Sequence, residues 1–177
     1  MLKTLRQIAA VGIATEPPPP ADESLRLREA LQARVLTVLG RALCIRAVDA
    51  GSCNGCELEM HALKNPLYNL EGVGIRFVAS PRHADLLLVT GPVFKHMEHA
   101  LRRTYDATPD PKLVVAVGDC GCTGGIFGES YASRGRVSNV IPVDVAIPGC
   151  PPSPTRILTG ILTALESPTA VPKRAPT

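Results

Sequence analysis

The clearest strand patterns in the sequence are residues 84–90, Ala-Asp-Leu-Leu-Leu-Val-Thr, and residues 112–117, Lys-Leu-Val-Val-Ala-Val. Each is almost continuously apolar instead of alternating with polar residues, which is typical of a strand buried on both faces of a parallel sheet. Three further aliphatic runs have the same character, at residues 42–48, 74–79 and 143–147. The sequence therefore predicts five parallel strands.

Helical patterns separate several of these strands. They cover residues 57–67, 94–107 and 154–165, and an amphipathic helix over residues 24–39 precedes the first strand. Strands that alternate with helices fold as an α/β unit with right-handed crossovers. We predict a flavodoxin-like three-layer sandwich with a mostly parallel five-stranded sheet, formed by residues 23–166.

The two ends of the chain differ in composition from this domain. Residues 1–22 are predicted to be an N-terminal extension, whose four consecutive prolines belong to a stiff spacer over residues 15–22. Residues 2–14 suit either an amphipathic element that rests on a membrane or partner, or a frayed terminal helix. Residues 167–177, rich in Pro, Thr, Lys and Arg, are predicted to be a disordered tail.

Composition narrows the function. The formal net charge is only +3, and no Lys/Arg-rich block or aromatic platform accompanies it, which argues against nucleic acid as a partner. No apolar run is long enough for a transmembrane helix. The N-terminus lacks a convincing export signal, so the expected compartment is the cytoplasm, where thiols stay reduced. Six cysteines there favour metal or redox chemistry over disulfides.

Four of these cysteines follow predicted strands. Cys53 and Cys56 come just after the first strand, Cys120 just after the fourth, and Cys150 closes the fifth. Ligands of open α/β sheets bind outside the carboxyl ends of the strands, so the four thiols are expected to meet at one edge. The many glycines around them would let the backbone approach a bulky inorganic core. The pattern predicts one iron–sulfur cluster.

Other interpretations of the thiols stay open at this point. A Cys₄ zinc site is geometrically allowed, although zinc sites more often use two close pairs. A thioredoxin-like dithiol at Cys53 and Cys56 would leave the two distant cysteines without a role. Cys122, two residues beyond Cys120, is an alternative ligand, whereas Cys44 lies inside the first strand and is expected to be core.

Three segments resemble motifs of a known family. They are residues 53–59 (Cys-Asn-Gly-Cys-Glu-Leu-Glu), 118–125 (Gly-Asp-Cys-Gly-Cys-Thr-Gly-Gly) and 148–152 (Pro-Gly-Cys-Pro-Pro). They resemble nickel–iron hydrogenase small subunits, most closely the energy-converting, membrane-bound group that includes the formate hydrogenlyase type. The 20 kDa iron–sulfur subunit of respiratory complex I shares the later two motifs, but its first motif has adjacent cysteines. The resemblance covers about residues 40–166.

The resemblance implies a specific site. By it, Cys53, Cys56, Cys120 and Cys150 bind a single proximal 4Fe–4S cluster, and the motif favours Cys120 over Cys122. The chain would then be an electron-transfer subunit that exchanges electrons with the nickel–iron centre of a separate hydrogenase large subunit. Its other partners would be a ferredoxin-like iron–sulfur subunit and integral membrane subunits. The implied location is peripheral, on the cytoplasmic side of the inner membrane.

Two alternatives to the hydrogenase function stay open. The chain could be a complex I-type subunit that passes electrons to quinone, or, in another class, a zinc-stabilised interaction domain without redox function.

Three further features have both a functional and a structural interpretation. The small-subunit family suggests that Glu57 relays protons, but the helix dipole alone also favours a carboxylate in the first turn of a helix. Residues 127–140 are long enough for a partner-binding loop, and solvated charges are the alternative interpretation. His96 and His99 have the i, i+3 spacing of two metal ligands on a helix, but no third ligand accompanies them, which favours a solvated helix face.

Overall fold

A five-stranded parallel sheet runs through the computed structural model, which describes residues 2–11 and 21–167. Its strands are β1 (Leu43–Asp49), β2 (Ile75–Phe77), β3 (Leu86–Thr90), β4 (Leu113–Val117) and β5 (Val145–Ile147). They lie in the order β2-β1-β3-β4-β5, and every neighbouring pair is parallel. This is the order of flavodoxin-like sheets, so the predicted fold class is confirmed.

Helices cover both faces of the sheet. One layer holds α2, α3 and α6, and the other holds α4 and α5 with the segment at residues 137–141. No helix in the described ranges is long and apolar enough to cross a bilayer. The described α-helices are α1 (Leu2–Val11), α2 (Ala21–Leu39), α3 (Gly55–Ala62), α4 (Lys95–Ala107), α5 (Gly118–Thr123) and α6 (Pro154–Glu166), and short 3-10 helices lie at Leu70–Val73, Pro81–His83 and Val137–Asn139.

The central strands explain the continuous apolar runs. Every residue of β3 and β4 is buried, because side chains on alternate positions point to opposite layers. Leu86 and Leu88 join the hydrophobic cluster beneath α2 and α6, whereas Leu87 and Val89 join the cluster beneath α4. Each of these strands meets a hydrophobic layer on both faces, so β3 is apolar up to Thr90 at its carboxyl end.

Several predicted boundaries were wrong by a few residues. Helix α2 begins at Ala21, inside the stretch predicted as spacer. Helix α3 ends at Ala62 rather than at residue 67, since Pro66 disfavours a helical conformation for the residue before it. The outer strands β2 and β5 have three residues each, because an edge strand pairs on one side only.

Three predictions fall on or near the ends of the chain. The first element is a helix, α1. The proline spacer lies outside the described residues, apart from positions 21 and 22, which belong to α2. The predicted disordered tail also lies outside them, apart from residue 167.

The side chain of Lys112 caps the C-terminal end of α4. Its ammonium donates to the carbonyl oxygens of Tyr105 and Thr108, each at 3.0 Å, and sits 4.2 Å from the centre of the Tyr105 ring. A cation here satisfies free carbonyls and complements the negative end of the helix dipole. We expect Lys112→Met to lower the free energy of unfolding by about 1–2 kcal/mol in urea denaturation.

Lys95 provides the matched control for that prediction. It is exposed and occupies the first position of the same helix, where the dipole disfavours a cation. Lys95→Met should therefore leave the free energy of unfolding unchanged or slightly raised. Equal losses in the two variants would contradict the capping role of Lys112.

Candidate metal centre

Three chain segments bring cysteines to the carboxyl edge of the sheet. Cys53 lies in the loop after β1 and Cys56 in the first turn of α3. Cys120 follows β4, and Cys150 follows β5 by three residues. The segment around Cys120 is the six-residue helix α5. All four thiols thus leave the sheet at the edge where parallel α/β proteins bind their ligands.

Two glycines allow the sulfur atoms to approach the backbone closely. A Cβ atom placed on Gly118 would lie 2.6 Å from the sulfur of Cys56, and one on Gly125 would lie 2.8 Å from the sulfur of Cys120. Both glycines also have positive φ, +82° and +55°, which side chains rarely adopt. Gly118 therefore serves two purposes, since it makes the turn from β4 into α5 and leaves room for a thiol from α3.

The pKa values of two of the four thiols depend on the charges of the others. Burial is the first cause that raises the pKa of Cys56 to about 12, and it also raises the pKa of Cys120. Repulsion from Glu57 and from the thiolate forms of the neighbouring cysteines raises the pKa of Cys56 further, and repulsion from the thiolates of Cys150 and Cys53 does the same for Cys120. Because a metal binds the thiolate, metal loading at these cysteines must release their protons.

Cys122 and Cys44 have different surroundings. The Cys122 thiol donates to the carbonyl oxygen of Ala116 at 3.7 Å and packs against the core beneath α4. Burial raises its pKa to about 11, and none of the other cysteines contributes to that shift. Cys44 is 2% exposed inside β1 and accepts a hydrogen bond from Arg76 Nε at 3.3 Å. Both thiols face away from the group of four.

Hydrogen bonds hold the loop that carries Cys53. Asp49 Oδ1 accepts from the backbone N–H groups of Gly51 and Ser52, each at 2.7 Å. The Ser52 hydroxyl donates to Glu57 Oε2 at 2.6 Å, and the Thr90 hydroxyl donates to the other oxygen of the same carboxylate. Glu57 therefore links the loop to the end of β3.

Asp119 is a site residue that sequence reasoning missed. Its carboxylate accepts a hydrogen bond from the Gly149 N–H at 2.8 Å, and its own N–H donates to the Gly149 carbonyl at 2.9 Å. Asp119 directly precedes Cys120, and Gly149 directly precedes Cys150. The only signal in the sequence is the position of an acid directly before a predicted ligand.

The remaining predicted features are on α4 and in the segment that follows α5. His96 and His99 are exposed on α4. The segment at residues 127–140 is held against α4 by Arg134, whose Nε lies 2.7 Å from Glu98, while Tyr131 is 92% exposed. Within residues 2–11 and 21–167, no three His, Cys, Asp or Glu side chains converge on the position of a single metal ion.

The fold and the site define a class: flavodoxin-like α/β proteins that gather cysteines from several strand ends at the carboxyl edge of the sheet. Residues 53–164 match the family described as NADH ubiquinone oxidoreductase, 20 Kd subunit. The match spans all four cysteines and most of the sheet. The chain belongs to this family.

Individual relatives are close. The chain is 46% identical over 134 residues to the probable membrane-bound hydrogenase subunit mbhJ of Pyrococcus furiosus, covering 76% of this chain and 80% of the relative. It is 43% identical to formate hydrogenlyase subunit 7 of Escherichia coli K12, over 84% of this chain and 57% of the relative. A chain from the membrane-bound sulfane sulfur reductase, an archaeal respiratory membrane complex, superposes with a TM-score of 0.63 at 36% identity, over 78% of this chain and 74% of its own.

Proposed function

We propose that this protein is the electron-transfer subunit of a membrane-associated nickel–iron hydrogenase complex, with a single proximal 4Fe–4S cluster. The observation that carries the proposal is the group of four thiols delivered by three segments to one edge of the sheet. Cys53, Cys56, Cys120 and Cys150 would hold the cluster, which supplies one-electron transfer when bound. The chain's own part is to position the cluster and to set the charges around it.

The chemistry of the donor set supports a cluster over zinc. In a 4Fe–4S cluster each thiolate binds its own iron atom, so the sulfurs need not converge on one ion. A zinc site requires each sulfur at about 2.3 Å from the same ion. The cradle left by Gly118 and Gly125 also suits a bulky inorganic core. The orientation of Cys122 toward Ala116 favours Cys120 as the ligand from α5.

The relatives support the partners that we propose. Two of them are named as subunits of a hydrogenase and of formate hydrogenlyase, and one belongs to a respiratory membrane complex. We infer that this chain binds a hydrogenase large subunit that holds the nickel–iron centre, a ferredoxin-like iron–sulfur subunit and integral membrane subunits. The complex would hold it peripherally on the cytoplasmic side of the inner membrane.

Purification of the intact complex under anaerobic conditions tests this function. We expect the tagged chain to co-purify with a large subunit that carries two CxxC motifs and nickel. A large subunit without both would instead support the alternative, a complex I-type subunit that passes electrons to quinone, which the family match also accommodates. A colourless chain that carries zinc and no redox partner would favour the zinc-stabilised interaction domain.

We further infer that Glu57 relays protons near the cluster. Glu57 lines a cavity of about 160 Å³ together with His61 and Lys64, which could pass a proton toward solvent. Glu57→Gln keeps the size of the side chain and removes its proton-exchanging group. We expect it to leave the cluster spectrum unchanged and to lower hydrogenase turnover of the complex by about 100-fold. Glu59→Gln is the control, and equal turnover in both variants would exclude the relay.

A further inference from the structure

The contact between Asp119 and Gly149 extends the register of two strands beyond the sheet. The ladder between β4 and β5 ends at the pair Val117 and Ile147. Two residues farther along each strand, Asp119 and Gly149 exchange two hydrogen bonds, of 2.8 and 2.9 Å. One of the two acceptors is a side-chain carboxylate, because the chain has already turned into α5 and its backbone no longer runs beside β5.

The next residue on each segment is a cysteine. Cys120 follows Asp119, and Cys150 follows Gly149, so the same contact fixes the spacing of two thiols that come from different strands. The carboxylate also places negative charge beside the site. Asp119 directly precedes Cys120 in the chain, so this charge lies beside a proposed ligand.

We propose that Asp119 is a positioning residue that ties Cys120 to Cys150 and whose negative charge lowers the reduction potential of the bound cluster. The inference rests on the proposed function, because it requires a cluster at the four thiols. A negative charge beside a cluster disfavours the addition of an electron, and net charge is among the factors that set such potentials. The hydrogen bond and the charge are separate properties of one carboxylate.

Two substitutions separate these properties. Asp119→Asn keeps an oxygen that can accept from the Gly149 N–H and removes the charge, whereas Asp119→Ala removes both. Asp144→Asn is the matched control, because the Asp144 carboxylate also accepts from a backbone N–H, that of Val114 at 2.7 Å. Val114 lies at the opposite end of β4, roughly 13 Å along the strand from Gly118, where salt largely screens a surface charge.

The first readout is the midpoint potential of the reconstituted full-length chain, titrated with dithionite and followed by electron paramagnetic resonance. We expect Asp119→Asn to favour the reduced cluster about tenfold, a positive shift of about 59 mV for a one-electron couple. Asp144→Asn should match the wild type. If the two variants give the same potential, Asp119 does not tune the cluster.

The second readout needs no cluster. In the metal-free full-length chain, the Gly149 amide should exchange with solvent about tenfold faster in Asp119→Ala than in the wild type, and unchanged exchange would overturn the positioning role. The two readouts distinguish failure of the proposed function from failure of the inference about Asp119. A wild-type chain that takes up no iron would refute the proposed function. Amide exchange would still decide whether Asp119 holds the two segments together.

Discussion

Gly118→Ala should destabilise the chain by about 2–5 kcal/mol and abolish cluster binding. The methyl group would meet the Cys56 sulfur at 2.6 Å, and the backbone would keep a φ of +82° that a side chain disfavours. The left-handed conformation costs about 1–2 kcal/mol and overpacking about 1–3 kcal/mol more. Displacement of Cys56 also removes one ligand from its place, so iron should be lost even from the molecules that remain folded.

Urea denaturation of the metal-free chain and iron content after reconstitution measure the two effects separately. Gly40→Ala is the control, because Gly40 has a similar φ of +65° with no atom within 4 Å of the added methyl group. Gly40→Ala should lower the free energy of unfolding only by the cost of the left-handed conformation, about 1–2 kcal/mol. This variant should bind iron normally. A Gly118→Ala protein with full iron content would show that the space beside Cys56 is not required.

Cys120→Ser should abolish the 4Fe–4S signal in electron paramagnetic resonance of the reduced protein, whereas Cys122→Ser should preserve it. Cys120 shares its electrostatic environment with Cys53 and Cys150, while Cys122 bonds to Ala116 and contacts the core. A serine at position 122 can donate to the same carbonyl, so its effect on folding should also be small, about 1 kcal/mol. The reverse pattern of signals would assign the ligand role to Cys122.

Helix α5 explains why the sequence left this choice open. Residues two apart on a helix do not face the same side, so Cys120 and Cys122 must diverge once the segment is helical. The stretch Gly-Asp-Cys-Gly-Cys-Thr has no apolar periodicity and two glycines, which is typical of a loop. The continuous contact of the helix with β4 and β5 overrides that local preference.

The sheet was predictable because its signal is local. A run such as Leu86–Thr90 carries its own burial pattern, and the edge at which the cysteines emerge follows from parallel strand direction alone. Contacts between distant segments were not predictable in this way. Asp119 and Gly149 are 30 residues apart and meet only because β4 and β5 pair in one register.

The proposed cluster is tested most directly by the iron and sulfide content of the full-length chain, purified without exposure to air. The account predicts a brown protein with about four iron and four acid-labile sulfide atoms per chain. It also predicts that the broad visible absorption bleaches on reduction with dithionite. A colourless protein with stoichiometric zinc, or with no metal after reconstitution with iron and sulfide, would contradict it.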